Sequence, residues 1–282
     1  MNTARLTLGG FEIHGLRDGY FHLDGGTMFG VVPKVLWEKN FPSDEKNRIR
    51  LGLNSLLIKT EKKLIVVETG IGPKLDLKSS EIYGVETKPG LLASLESLGF
   101  SASEVDFVIN THLHFDHCGG NTVINEEGKA VPAFPSARYI IQKGEWEHAL
   151  HPNERDMKSY LSENFIPLEE HKVLDLVEGD TEITDGVEVV VVPGHTAHHQ
   201  CVRVWSQGKT LFFLGDLVPT SAHAGLSYIM SYDLFPLETL ENKKKYFQQG
   251  LEEGWLFAFC HDPEFYFACL SKEKEKYTFK SV

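Results

Sequence analysis

Short apolar runs separated by turn residues recur along most of the chain, which predicts a layered α/β protein rich in strands. Helices are predicted where apolar residues recur at helical spacing, as in Pro89 to Leu98, where Leu91, Leu92, Leu95 and Leu98 share a face. Further helices are predicted at 144–150, 154–164 and 237–249. Strands are predicted at 6–8, 11–16, 54–59, 63–68, 105–110, 138–142, 173–176, 187–192, 200–205, 210–214 and 255–260. We expect one domain over 1–282, with a helical insertion at about 144–170 and a charged tail after Ser271.

One segment breaks the pattern. Gly19 to Pro42 is rich in glycine, proline and large apolar residues but has no clean periodicity. Such a segment is either a loop that covers the core or the hydrophobic wall of a pocket.

The charge balance narrows the choice of partners. The chain of 282 residues carries 40 acidic and 28 basic side chains, a net charge of -12, and no basic patch. This disfavours nucleic acid and anionic membranes as partners.

The N-terminal residues do not have the pattern of a secretory signal, and no apolar run approaches the roughly 18 residues of a membrane span, so we expect a cytoplasmic protein. The four cysteines form no C-x-x-C pair and are expected to be buried thiols.

The strongest chemical signal is the run T-H-L-H-F-D-H-C-G-G at 111–120, directly after the predicted strand 105–110. It places His112, His114, Asp116 and His117 within six residues. Imidazole and carboxylate groups suit zinc first, and also manganese, iron, cobalt or nickel. The short linkers cannot aim all four groups at one point, so the pattern predicts two divalent metal ions sharing this loop.

Three further ligand-capable residues follow predicted strands. His195 stands in a P-G-H-T turn, Asp216 in a G-D turn, and His261 after the last apolar run. Their recurrence at strand ends predicts that they join the 111–120 loop in one site.

This order of motifs resembles the metallo-β-lactamase superfamily over nearly the whole chain. The resemblance implies a four-layer αββα sandwich of two mixed β-sheets, with the site at one sheet edge. It also implies seven metal ligands in two groups joined by a bridge: His112, His114 and His195; Asp116, His117 and His261; and Asp216 as the bridge.

Within the superfamily, the segments 25–37, 216–223 and 259–262 resemble the quorum-quenching lactonases, which open N-acyl homoserine lactones. The apolar N-terminal segment also resembles the methyl parathion hydrolase branch, which hydrolyses organophosphate triesters. Either resemblance implies a small ester or lactone substrate in a pocket walled by four apolar residues, namely Met28, Phe29, Val31 and Trp37. The same segment could equally contribute to a homodimer interface.

The implied reaction is attack on the substrate carbonyl by a hydroxide that bridges the two ions, with Asp116 and Asp216 as catalytic carboxylates. The lactonases carry a tyrosine three residues after the bridging aspartate, where this chain has Pro219. We expect His223 or Tyr228, which follow on the same loop, to supply the missing donor. His199 is either a residue that supports the ligands from behind or a solvated loop residue, and the second is the expectation. Glu68 stands where the family usually has an aspartate that supports a ligand histidine.

A different class of function is a sulfur dioxygenase with a single iron. Such a protein keeps three ligands and loses the second set, so the complete set of seven favours hydrolysis. A count of one or two metal ions per chain separates the two readings.

Overall fold

Sixteen strands carry the fold in the computed structural model, which describes residues 4–86 and 88–282. In chain order they are β1 Arg5–Leu8, β2 Phe11–Asp24, β3 Arg48–Lys59, β4 Leu64–Val67, β5 Phe107–Ile109, β6 Thr122–Ile124, β7 Ala130–Pro132, β8 Arg138–Gln142, β9 Leu174–Val177, β10 Thr181–Thr184, β11 Val187–Val191, β12 Gln200–Ser206, β13 Lys209–Phe213, β14 Leu256–Ala258, β15 Phe267–Glu273 and β16 Lys276–Ser281.

These strands form two mixed sheets of seven strands and one small ribbon. The first sheet has the order β1-β2-β3-β4-β5-β8-β9, antiparallel from β1 to β4 and parallel from β4 to β9. The second runs from β10 to β16 in chain order and is antiparallel except for the parallel pair β13 and β14. Strands β6 and β7 pair as a separate ribbon.

Eight α-helices lie among the described residues. They are α1 Gly25–Phe29, α2 Lys34–Trp37, α3 Leu77–Ile82, α4 Leu91–Ser97, α5 Phe115–Cys118, α6 Lys143–Leu150, α7 Ile166–Glu170 and α8 Pro236–Glu253. Among the described residues, none of these helices is long and apolar enough to cross a membrane.

The apolar side chains sort into layers because successive strand residues point to opposite faces. In β3, Leu56 and Ile58 join the core between the two sheets, whereas Leu57 faces the core that includes α4. On the far side, Tyr246 and Phe247 of α8 cover the outer face of the second sheet. The predicted αββα sandwich of two mixed sheets is therefore confirmed.

The sequence analysis missed several short elements, such as the β6–β7 ribbon and β10, and three other departures concern segments that it described. Strand β2 extends to Asp24, so the aperiodic segment begins inside a strand. The helix predicted at 154–164 is absent except for a 3₁₀ turn at Ser162–Asn164, because the Asn153 side chain accepts the backbone N–H of Arg155 and favours a turn. The tail predicted after Ser271 forms most of the hairpin β15–β16 at the sheet edge.

Candidate metal centre and active site

Four strand ends deliver the ligand-capable residues to one edge of the sandwich. β5 ends at Ile109 just before the 111–120 loop, and β11 ends four residues before His195. β13 and β14, which run parallel, end three residues before Asp216 and His261, respectively. The expected convergence at strand ends is therefore found.

The first group consists of His112, His114 and His195, all buried, whose ligand atoms lie within 4.8 Å of one another. His114 Nδ1 is 3.1 Å from His195 Nε2. His112 Nε2 is buried and has no hydrogen-bond partner within residues 4–86 and 88–282.

The second group consists of His117, Asp216, Cys260 and His261, within the same 4.8 Å limit. His117 Nε2 lies 3.1 Å from His261 Nε2. Asp116 completes this side, with its Oδ2 3.5 Å from His261 Nε2 and 3.7 Å from His117 Nε2.

Asp216 lies between the two groups. Its Oδ2 is 3.2 Å from His195 Nε2, while its Oδ1 is 3.4 Å from His261 Nε2 and 3.5 Å from His117 Nε2. One carboxylate thus presents an oxygen to each group, which is the geometry of a bridging ligand.

The hydrogen bonds at the far side of three rings fit a metal site. The Nδ1 atoms of His117, His195 and His261 lie 2.9–3.0 Å from Glu68 Oε2, Asp233 Oδ1 and Gly52 O. Because a carboxylate and a carbonyl only accept, each Nδ1 carries the proton and each Nε2 of a neutral ring presents a lone pair. These lone pairs converge and repel one another unless a cation lies between them. The residues present therefore fit the divalent ions that the sequence predicts.

The electrostatics divide the histidines into two sets. Burial opposes protonation of His117 and His195, but Asp216 and the other carboxylates beside them raise the pKa of both rings, so each favours a positive charge that a bound cation would supply in place of a proton. Burial, followed by the charges of neighbouring histidines, holds the pKa of His112 and of His114 well below the usual range, so both rings are neutral and can act as ligands. Burial opposes ionisation of Asp216, but His117, His195 and His261 together hold its pKa well below the ordinary value. The carboxylate is thus ionised in a fully buried position.

Two buried carboxylates fix the loops that carry the ligands. Glu68 Oε1 accepts the backbone N–H of Thr111 at 2.6 Å, while Oε2 faces His117 Nδ1. The backbone of Glu68 has a left-handed φ of 65°. Glu145 accepts from the backbone N–H of Leu113, from Tyr160 Oη and from Thr196 Oγ1 at 2.7–3.0 Å. Glu145 therefore joins three separate loops around the site.

The structure corrects the expectation that His199 is a solvated loop residue. It is fully buried, its Nε2 accepts the backbone N–H of Asp216 at 3.1 Å, and its Nδ1 donates to Val192 O at 3.2 Å. Burial lowers the pKa of His199 to about 3, so the ring stays neutral and positions the residue that lies between the groups. The expectation of a solvated loop histidine is wrong.

A cavity of about 280 Å³ opens over both groups. Its walls combine apolar side chains with a few polar ones, and the full lining is Leu23, Met28, Tyr83, His114, Phe115, Asp116, Arg155, Asp156, Ser159, His195, Asp216, Met230, Ser231, Tyr232 and His261.

Of the four residues predicted to wall the pocket, only Met28 lines this cavity. Met28 lines it, and its contact with substrate stays a prediction. Phe29 and Trp37 are instead fully buried and stack on each other at 5.2 Å in a core cluster, while Val31 is 87% exposed. The prediction for these three is corrected because the helix α1 directs Phe29 into the core and the following turn leaves Val31 in solvent.

The two expected donors also lie elsewhere. His223 is fully buried, with Nδ1 2.7 Å from Thr220 Oγ1, Nε2 2.9 Å from Met28 O, and its ring stacked on Phe29. Tyr228 packs edge-on against Phe29 and does not line the cavity. Neither has the position of a donor to the cavity in this structure, because the nitrogens of His223 are already bonded and Tyr228 packs on Phe29 outside the cavity lining.

Several residues at the site escaped the sequence reasoning. Asp233 and Glu145 stand in segments without a ligand-like spacing, and only the site itself reveals their partners. Tyr83 and Tyr232 are the tyrosines that line the cavity, and both come from turns that show no periodicity. Cys260, expected from the sequence as a buried thiol, is buried beside His261; its Sγ lies 3.2 Å from Asp216 Oδ1, and burial raises the pKa of the thiol, so it acts as a donor.

Comparison with known proteins identifies the family. The model of the metallo-beta-lactamase superfamily matches residues 49–253. Among curated proteins, an N-acyl homoserine lactonase of Bacillus cereus is 28% identical over 179 residues, 60% of this chain and 64% of the relative. Another of Bacillus thuringiensis is 30% identical over 159 residues, 52% and 56% of the two chains. This chain thus matches only about three fifths of the length of these lactonases.

Solved structures resemble the chain along its whole length. A probable metal-dependent hydrolase from Staphylococcus aureus is 30% identical with a TM-score of 0.89, and the match covers 98% of this chain and 99% of that one. AidC, a dizinc quorum-quenching lactonase solved with N-hexanoyl-L-homoserine as product, has a TM-score of 0.81 at 22% identity and covers 99% and 97% of the two chains. At that identity the second likeness shows the fold alone.

Proposed function

This chain belongs to the metallo-beta-lactamase superfamily, and we propose that it is a metal-dependent hydrolase that opens lactones, with N-acyl homoserine lactones as the foremost class. The observation that carries the proposal is Asp216, which presents one oxygen to each of two histidine groups at the floor of a partly apolar cavity. The similarity to curated N-acyl homoserine lactonases supports the substrate class.

In this proposal, His112, His114 and His195 hold one divalent ion, and Asp116, His117 and His261 hold the other, with Asp216 shared. Zinc is the first choice for imidazole and carboxylate ligands. When bound, two such ions lower the pKa of water toward neutrality and withdraw charge from a carbonyl oxygen. Two complete groups of ligand residues would hold two ions and do not fit a sulfur dioxygenase with a single iron.

The residues of the chain supply the remaining parts of the reaction. Asp216, held by the His199 ring through its backbone N–H, orients the attacking water. Asp116 lines the cavity and keeps 11% of its side chain exposed, so its carboxylate can receive a proton and return it to the alkoxide that leaves the opened ring. Leu23, Met28 and Met230 exclude water from one side and accommodate an acyl chain.

The test is a pH-stat measurement on metal-loaded protein with N-hexanoyl homoserine lactone, a paraoxon-type triester and a β-lactam. We expect fast lactone opening, reduced on the order of 10²–10⁴-fold in Asp116→Asn. Asp185→Asn, an exposed carboxylate in a turn, is the matched control and should keep the wild-type rate. Turnover of the triester alone would move the chain to the triesterase branch, and inertness toward all three would refute the proposal.

A further inference from the structure

One phenol in the wall of the same cavity has a hydroxyl group that no other described residue uses. Tyr83 is half-buried and lines the cavity together with Asp116. Its Oη forms no hydrogen bond with the residues at 4–86 and 88–282. It is also not one of the fully buried atoms that lack a partner, so it remains accessible from the cavity. Such a hydroxyl can donate a hydrogen bond to a bound molecule.

Two contacts fix the position of this phenol relative to the reacting centre. The backbone C=O of Tyr83 accepts the backbone N–H of His22 at 2.6 Å, and the next residue of β2, Leu23, lines the same cavity. The Tyr83 ring packs on Phe115, with the ring centroids 5.0 Å apart. Because Phe115 precedes Asp116 in α5, these contacts hold the phenol next to that carboxylate.

The hydroxyl end of the ring is the end that lies toward Asp116. Burial, followed by the negative charge of Asp116, raises the pKa of the Tyr83 phenol, and the second effect requires the hydroxyl and the carboxylate to be close. No hydrogen bond joins these two described groups, so a gap separates them within the cavity that both line. Because its pKa is raised, Tyr83 keeps its proton at neutral pH and can donate a hydrogen bond across the gap.

We propose that the Tyr83 hydroxyl donates a hydrogen bond to the ring oxygen of the lactone and stabilises the alkoxide that leaves when the ring opens. The inference rests on the proposed function and adds a catalytic residue to it. Water adds its oxygen to the carbonyl carbon, the ring C–O bond breaks, and the electron pair of that bond stays on the ring oxygen. The proton that Asp116 takes from the water passes to this oxygen, which completes the hydroxy acid, while Tyr83 keeps its own proton. The transfer requires the leaving oxygen to lie near Asp116, in the gap that Tyr83 faces.

The experiment compares metal-loaded Tyr83→Phe with the wild type on two substrates that differ in the leaving atom. They are N-hexanoyl homoserine lactone and N-hexanoyl homocysteine thiolactone, in which sulfur replaces the ring oxygen. Sulfur is a weak hydrogen-bond acceptor, so the thiolactone gains little from a donor. In Tyr83→Phe we expect kcat/KM to fall about 10–100-fold for the lactone and by less than about threefold for the thiolactone. A general loss of folded or metal-loaded protein lowers both rates by the same factor and leaves their ratio unchanged.

A matched variant and a second substrate series keep the test sharp. Tyr232→Phe removes the other phenol that lines the cavity, which is 38% exposed, and should leave the ratio of lactone to thiolactone unchanged. The second series consists of ethyl hexanoate and 4-nitrophenyl hexanoate, which share an acyl group but differ in the basicity of the leaving oxygen. Tyr83→Phe should slow the ethyl ester more than the 4-nitrophenyl ester, because the more concentrated charge accepts the stronger hydrogen bond.

The outcomes separate this inference from the proposed function. An equal loss for the lactone and the thiolactone in Tyr83→Phe, or no loss for either, would overturn the role of Tyr83, while lactone opening by the wild type would uphold the lactonase. The same change of ratio in Tyr232→Phe would overturn the assignment to Tyr83. If the wild type opens no lactone but Tyr83→Phe still separates the two esters, the lactonase proposal fails and the donor role of Tyr83 stands. Inertness toward the lactone and both esters would overturn both.

Discussion

His223, which does not line the cavity, should make the folded protein sensitive to acid. The ring is fully buried, bonded at both nitrogens and stacked on Phe29 at 4.5 Å. Burial lowers its pKa from 6.5 to about 3. Between these two values the unfolded chain binds a proton that the folded protein does not, so the contribution of His223 falls as the pH drops from 6.5 toward 3.

The magnitude follows from the two pKa values. At pH 7 both states are largely neutral at this residue, and the effect is small. At pH 5 the unfolded state is protonated and the folded state is not, which lowers the free energy of unfolding by about 2 kcal/mol. His223→Gln keeps an amide that can donate to Met28 O but cannot titrate. The variant should be less stable than the wild type at pH 7, and the gap should shrink by about 2 kcal/mol at pH 5.

The assay is urea unfolding followed by tryptophan fluorescence at a series of pH values, with equal metal loading of both proteins. The metal ligands are the same in both, so their protonation cancels in the difference. His171→Gln, which alters an exposed histidine, is the control and should run parallel to the wild type. A constant gap between His223→Gln and the wild type from pH 7 to pH 5 would refute the reasoning.

Three other predictions follow from the site. Asp216→Ala should reduce the metal content from two ions per chain to one or none, because the Asp216 oxygens face both groups, whereas the control Cys260→Ala should retain two. Elemental analysis after gel filtration measures the content, and two ions in Asp216→Ala would contradict the bridging role. Glu145→Gln should lower the free energy of unfolding by about 3 kcal/mol, because an amide cannot accept all three hydrogen bonds; a urea midpoint equal to that of the wild type would contradict this. Removal of the metal ions by a chelator should lower the Tm by about 5 °C, because ions that bind only the folded state stabilise it. Calorimetry with and without the chelator tests this, and an unchanged Tm would count against metal binding at the two histidine groups.

The ligand positions were predictable because they follow a simple structural rule. A buried strand is recognisable from its apolar run, and a polar residue just past its end lies at the sheet edge, as for His195 after β11 and His261 after β14. Strands of a sandwich bring such ends together whatever the exact register. The strand-end rule therefore predicts that these polar residues gather at one edge, whereas the two mixed sheets and the division of the seven residues into two groups with a bridge were expectations from the resemblance to the metallo-β-lactamase superfamily.

The residues that support the ligands and the residues that line the cavity could not be predicted in the same way. Glu145 joins Leu113 and Thr196, which lie 32 and 51 residues from it, and no periodicity encodes such distant pairing. His223 was expected at the cavity because it follows Asp216 on the same loop. A single 3₁₀ turn at Ser221–Ala224 directs its ring onto Phe29 instead. Side-chain direction in irregular segments depends on tertiary packing, which the sequence pattern does not carry.

Different parts of the fold carry the proposed metal ligands and the walls of the cavity. The proposed metal ligands follow strand ends held by the core. The cavity walls come instead from the end of β2 and α1, which carry Leu23 and Met28, and from irregular segments at Tyr83, Arg155–Ser159 and Met230–Tyr232. Substitutions in the walls change which groups meet a substrate without moving the lone pairs that converge on the ions. On the proposed function, the reaction class therefore follows from the ligands at the strand ends, and the choice among lactones, esters and triesters follows from the segments that form the cavity walls.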